Sequence, residues 1–101
     1  MKAYDVIVIG AGVVGAATAR ELSRRQGRFL VVEKALDVCE GTSKANSAIV
    51  HAGFDAEPGT VKAKMNVRGN EKMDKLSQEL DVPFQRVGAF VVCFSQEELP
   101  K

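Results

Sequence analysis

Three glycines and one carboxylate carry the clearest chemistry in this chain. Gly10-Ala11-Gly12-Val13-Val14-Gly15 has the G-x-G-x-x-G spacing, and Glu33 follows 23 positions after Gly10. Each of these residue types has a physical task in holding a dinucleotide. Gly10 permits a tight turn, Gly12 leaves no Cβ between backbone and pyrophosphate, and Gly15 lets a helix pack closely on a strand. The unpaired N–H groups and positive dipole end of a helix start favour phosphate. An acid about 20 residues further on accepts from the ribose hydroxyls, and Glu33 has that spacing. The bland alternative is a glycine turn beside a surface glutamate. Context opposes it: a strand precedes the turn, a helix follows, and the acid ends the second strand.

Further polar groups follow in a glycine-bearing stretch. Glu40-Gly41-Thr42-Ser43 and Asn46-Ser47 place hydroxyls and an amide just beyond the adenosine end. Neutral donors of this kind suit a pyrophosphate, although N-caps and Asx-turns use the same residues. His51 stands in a loop with Gly53 two residues on. An imidazole there can take an alcohol proton while a hydride leaves the carbon, whereas a lone histidine is more often structural. Ile49, Val50 and Phe54 are close enough in sequence to shield its ring from water. Cys39 reads as a small packed residue, with a reactive thiol as the alternative.

The elements that must position these residues are legible from periodicity. Residues 4–9, with the run Val6-Ile7-Val8-Ile9, read as a strand buried in a parallel sheet. Residues 13–25 read as a helix closed by a left-handed Gly27 cap, with Gly15, Ala19 and Leu22 on one stripe. Residues 29–33 form a second strand, which completes a strand–turn–helix–strand crossover. Residues 35–60 lack a regular pattern, apart from a short helix near 43–50, and a loop that long is usually functional. Residues 61–80 predict a helix with Val61, Met65, Gly69, Met73, Leu76 and Leu80 on its apolar face. Lys62, Lys64, Arg68, Lys72, Lys75 and Glu79 form a solvated face, and Pro83 ends the region. Residues 84–94 predict a third strand, apolar on both sides, and residues 95–101 begin like another helix.

Composition narrows the function classes. The 101 residues are 46% hydrophobic and 27% charged, enough apolar surface to order a chain. A formal net charge of +1 provides no basic field for nucleic acid. No apolar run approaches the ~20 residues of a membrane span. Asp5 interrupts the N-terminal stretch, so a secretory signal is not expected. Cys39 and Cys93 make neither a zinc spacing nor a disulfide framework, which suits a reducing, cytoplasmic setting.

Taken together, residues 5–12 through Glu33-Lys34, then Gly41-Thr42-Ser43-Lys44-Ala45-Asn46-Ser47 and His51-Ala52-Gly53, resemble the N-terminus of the FAD-dependent D-amino-acid oxidase superfamily. Within it the chain is most similar to the bacterial glycerol-3-phosphate dehydrogenase and L-2-hydroxyglutarate oxidase group. Pro58-Gly59-Thr60 leading into Lys62-Ala63-Lys64 adds to that likeness. Ala48 departs from it, standing where many relatives have glycine, and the His-Gly-Gly-x-Arg-Tyr pattern of the respiratory enzymes is absent. The resemblance implies an α/β fold: the N-terminal βαβ of a Rossmann-like, glutathione-reductase-type FAD-binding domain, incomplete in this chain. It implies residues 1–83 as part of that domain and 84–101 as the start of a substrate domain. Gly10, Gly12, Val14 and Gly15 would bind the FAD pyrophosphate, and Glu33 the adenosine ribose with Lys34 beside it. Thr42 and Ser43 would approach the phosphates, Asn46 and Ser47 the ribityl chain, and His51 the isoalloxazine ring. The expected partners are a small hydroxy acid or polyol phosphate and an electron acceptor. A nicotinamide-dependent dehydrogenase domain and a nucleotide-binding module without chemistry are the competing readings.

Overall fold

The computed structural model describes residues 3–98. They fall into two compact units, one reaching to Ile49 and the other starting at Val50.

The first unit is the expected crossover. Strand β1 (Val6–Ile9) runs parallel to strand β2 (Phe29–Val32), with Val6 opposite Phe29 and Ile9 opposite Val32. Helix α1 (Val13–Leu22) connects them. Asp5 fixes the register. Its N–H donates to the Arg28 carbonyl at 2.9 Å, and its carboxylate accepts from the Arg28 N–H at 2.7 Å. At the other end the Gly10 N–H reaches the Val32 carbonyl at 2.7 Å, so the ladder carries directly into the glycine turn. The helix is shorter than its periodicity predicts. It closes at Ser23, whose N–H donates to the Ala19 carbonyl at 2.8 Å and whose hydroxyl donates to that of Arg20 at 2.8 Å. Those bonds satisfy the helix end before Gly27 is reached. Gly27, at φ +151°, instead shapes the entry to β2, where a Cβ would come within 2.8 Å of the Phe29 ring.

The second unit is organised by helix α2 (Val61–Glu79). Thr60 caps its start, accepting from the Ala63 N–H at 3.2 Å. Its end is a Schellman closure with Asp81 in the left-handed region at φ +51°. The Val82 N–H returns to the Ser77 carbonyl at 2.9 Å, and the Asp81 N–H to that of Gln78 at 3.4 Å. Helix termination therefore precedes Pro83. The lysine-rich face is exposed as expected, but so is much of the predicted apolar face, including Val61, Met65 and Leu80. Met73 and Leu76 of that face are half-buried as predicted, and Ala63, Asn66, Asn70 and Ser77 turn inward beside them at helical spacing.

Two predicted elements are not formed. Residues 43–50 make turns and irregular backbone rather than a helix, because the Asn46 side chain bonds the local backbone in competition with helical pairing. Residues 84–94 form no strand, with Gly88 at φ +76° and Phe90 and Phe94 almost fully exposed. A strand needs a neighbour for its N–H and C=O groups, and none lies beside this segment among the described residues. The tail contributes a single 3₁₀ turn, Gln96–Glu98, and the rest of its predicted helix lies outside the described residues. Only small side chains are buried among the described residues: Ala11, Ala56 and Ser77. A two-stranded sheet with one helix cannot cover both of its faces, so most of its valines and isoleucines stay open.

Candidate functional site

In the first unit the glycine turn is built by sterics. Gly10 has φ +102°, a conformation that costs glycine little and other residues much. A Cβ on Gly15 would overlap the Gly10 carbonyl oxygen and meet Val8 Cγ1 at 3.4 Å. Helix and turn can therefore approach this closely only with hydrogen at that position. Gly12 is the N-cap of α1 and offers no side-chain cap to its first turn. Ser43 does so from 30 positions away, its Oγ accepting from the Val13 N–H at 2.8 Å. That Oγ would lie 3.1 Å from a Cβ on Gly12. The Val14 and Gly15 N–H groups have no acceptor inside the helix, which leaves a short row of donors at its positive end.

Glu33 sits just past β2 and faces this turn. One carboxylate oxygen accepts from the Ala11 N–H at 2.7 Å and the other from the Ala35 N–H at 2.9 Å. The Ala11 N–H, followed by that of Ala35, holds the Glu33 carboxyl below its ordinary range. Lys34 adds a smaller effect in the same direction. The anion is thus fixed in place with lone pairs to spare, since two oxygens offer about four acceptor sites. Cys39 closes the loop over the turn, its N–H donating to the Ala11 carbonyl at 3.1 Å and its thiol to the same oxygen at 3.5 Å. It does so at φ +61°, in a conformation unusual for a side chain with a Cβ. Periodicity gave no sign of this contact.

The loop residues divide into two kinds. Ser43 joins Gly10, Gly12, Gly15 and Glu33 around the helix start. Asn46 is used locally, donating to the Thr42 and Ser43 carbonyls at 3.1 and 2.9 Å and accepting from the Ala48 N–H at 2.8 Å. Thr42 therefore enters through its carbonyl, whereas Ser47, Lys34 and Val14 stand exposed.

In the second unit His51 is exposed, so the expected apolar shield around its ring is not formed; Phe54 is open as well. Its ring is nonetheless held: Nδ1 lies 2.9 Å from Asp55 Oδ2. Its backbone carbonyl accepts from Asn70 Nδ2 at 3.1 Å. Gly53, at φ +114°, docks the loop on α2, where a Cβ would come within 2.7 Å of Val67 Cγ2. Beyond Asn70 lies Arg86, which grips both Asp74 and Asn70. Asp55, Asn70, Asp74 and Arg86 carried no sequence signal beyond the four-residue spacing of Asn70 and Asp74 on one helix face.

The match to known proteins covers both units. Residues 5–101 fit the family model described as FAD dependent oxidoreductase. A glycerol 3-phosphate dehydrogenase from Caloramator mitchellensis is 52% identical over 96 residues, covering 95% of this chain and 20% of that protein. A mitochondrial L-2-hydroxyglutarate dehydrogenase from Arabidopsis thaliana is 43% identical over 97 residues, covering 96% of this chain and 20% of that protein. A glycerol 3-phosphate oxidase from Mycoplasma pneumoniae is 35% identical over 99 residues, covering 97% of this chain and 26% of that protein. The chain thus spans about a fifth to a quarter of the length of these relatives.

Proposed function

The chain belongs to the FAD dependent oxidoreductase family, and from that premise we propose that the whole protein holds FAD at residues 10–15 and oxidises a small hydroxy compound. The observation that carries the reading is the turn itself. Gly15 admits no Cβ against the Gly10 carbonyl, and the helix start beyond it presents open donors. These residues fit a pyrophosphate, because a row of N–H groups at a helix N-terminus recognises anions. Gly12, Val14 and Gly15 would hold the phosphates through backbone, with Ser43 and Thr42 approaching from the loop. Glu33 would accept from the ribose hydroxyls, with Lys34 beside that sugar. Asn46 and Ser47 would lie toward the ribityl chain.

Bound FAD supplies the acceptor for the hydride that leaves the carbinol carbon. His51 would take the hydroxyl proton, so that the carbon–oxygen bond becomes a carbonyl. Glycerol 3-phosphate and L-2-hydroxyglutarate, the compounds in the relatives' names, both pair a secondary hydroxyl with an anionic group. The substrate we propose is of that class, a small hydroxy acid or polyol phosphate. The reading also calls for an electron acceptor, and the cytoplasmic setting we propose rests on cysteine usage alone.

Gly12→Val tests the cofactor assignment in the full-length protein. A branched side chain would enter the phosphate position and crowd Ser43 Oγ, 3.1 Å from its Cβ. The purified variant should lose its yellow colour, and stoichiometric flavin retained by it would overturn the reading. Titration calorimetry of the wild-type apoprotein separates the nicotinamide alternative. FAD should bind more tightly than NAD, and tighter NAD binding would favour that alternative. NADP should be excluded in either case, since Glu33 would meet a 2′-phosphate at short range.

A further inference from the structure

Two side chains of the second unit contact His51 and a third backs one of them, and we propose that they hold it as a positioned base: Asp55 fixes the ring, Asn70 fixes the backbone, and Arg86 orients Asn70. The proposal rests on the role given to His51 above.

The ring contact sets the proton. A carboxylate only accepts, so the Asp55 oxygen 2.9 Å from Nδ1 requires hydrogen on that nitrogen. In the neutral imidazole the remaining lone pair is then on Nε2, the atom that would receive a hydroxyl proton. An exposed pair of this kind contributes little to stability. Its physical consequence is the choice of tautomer and the direction of the ring.

The backbone contact is reinforced from behind. Arg86 Nη1 donates to Asn70 Oδ1 at 2.8 Å, and Nη2 donates to the Asn70 carbonyl at 3.0 Å. With its oxygen taken by the guanidinium, the Asn70 amide must turn its nitrogen away, and that nitrogen donates to the His51 carbonyl at 3.1 Å. Arg86 in turn is fixed by Asp74, with Nε at 2.9 and 3.1 Å from the two carboxylate oxygens and Nη2 at 2.6 Å from Oδ2. The Phe84 ring lies under the guanidinium at 5.4 Å. Asn70 and Asp74 are one turn apart on α2, so a single planar fork spans both. The positioning chain therefore runs from Asp74 through Arg86 and Asn70 to the His51 backbone.

The test uses the full-length holoenzyme with His51→Ala, Asp55→Asn, Asp55→Glu, Arg86→Lys and the His51→Ala/Asp55→Asn pair. Flavin reduction is followed by rapid mixing with glycerol 3-phosphate and with L-2-hydroxyglutarate. The His51 tautomer is read from imidazole ¹⁵N shifts, assigned by their loss in His51→Ala. Asp55→Asn should slow the limiting reduction rate at least about tenfold with FAD content unchanged, because an amide can donate to Nδ1 and favour the wrong tautomer. Asp55→Glu should recover part of that loss, and the double variant should be no slower than His51→Ala alone. Arg86→Lys, which keeps the charge without the fork, should lower the limiting rate more than substrate affinity. A wild-type rate or an unchanged tautomer in Asp55→Asn, beside a slow His51→Ala, overturns the positioning proposal and leaves the base intact. A wild-type rate in His51→Ala removes the base itself, and the proposal with it.

Discussion

The two units reach a polar arrangement by opposite means. Around Gly10, Gly12 and Gly15 the structure works by leaving atoms out. Positive φ at one glycine and a missing Cβ at another bring a helix start against a strand end. Around His51 it works by adding side chains, with Asp55, Asn70, Arg86 and Asp74 each making directional contacts. Backbone donors placed by sterics suit a ligand that must be held the same way throughout a reaction. Side-chain contacts suit a group that changes protonation during it. The roles proposed above assign binding and proton transfer to separate sets of residues, and substitutions should separate them.

The largest effects test that separation directly. Gly15→Val puts branched carbon where the Gly10 carbonyl already stands, against backbone that cannot move aside. We expect full-length protein that retains no flavin, by absorbance after gel filtration, and that unfolds well below the wild type. His51→Ala should do the reverse. Flavin content stays near wild type, while reduction by substrate slows by about 10²–10⁴-fold, the usual loss of a general base. A His51→Ala protein that loses flavin, or a Gly15→Val protein that keeps it, would erase the distinction between the two units.

A smaller effect is expected from the carboxylates, and here the units should behave alike. The Ala11 and Ala35 N–H groups hold Glu33 below the usual carboxylate range, and the Arg86 guanidinium does the same for Asp74. A pKa depressed by folding contributes stability in full above the unfolded-state value, and the contribution is lost as pH falls through the folded value. Glu33→Gln and Asp74→Asn should therefore destabilise most near neutrality, with the gap to wild type closing below about pH 4. Denaturant unfolding across that interval measures it. A gap that does not change with pH would mean that charge plays no part.

How much of this was legible in the sequence follows from the same contrast. The βαβ unit is written in local terms: β-branched runs, a glycine turn, and an acid at the second strand's end. Those features fix backbone, and β1, α1 and β2 formed within the spans that periodicity gave them, α1 ending early at Leu22. Arg86 lies 16 positions from Asn70, and Asn70 lies 19 from His51. No period connects them, because only the fold of the second unit brings them together. Residues 84–94 failed as a strand for the complementary reason. Their β-branched and aromatic pattern describes a pleated surface, but a ladder also needs a neighbouring strand. The apolar stripe of α2 was likewise real as a pattern, yet the loop at Gly53 and the Arg86 fork engage a different face. Periodicity identified the helix and not what it packs against.

The smallest effect concerns a residue between the two kinds of construction. Ala48 has φ +55°, in the left-handed region, where a Cβ crowds the carbonyl oxygen. It is kept there by Asn46, whose side-chain oxygen accepts from the Ala48 N–H at 2.8 Å while its amide nitrogen holds the Thr42 and Ser43 carbonyls. The strain is thus maintained by the same turn that presents Ser43 to α1. Glycine at this position would relieve about 1–2 kcal/mol of left-handed strain. It would also loosen the unfolded chain by about 0.4–1 kcal/mol, so the net gain should be under about 1.5 kcal/mol. Ala48→Gly in the full-length protein should raise the thermal midpoint by a few degrees at most, with flavin content and reduction rate unchanged. Asn46→Ala should remove the hydrogen bonds that hold the turn and, with them, most of the benefit of glycine. A lowered midpoint in Ala48→Gly would show that the turn does not require a positive φ. An undiminished gain in the Asn46→Ala background would show that the amide does not enforce one.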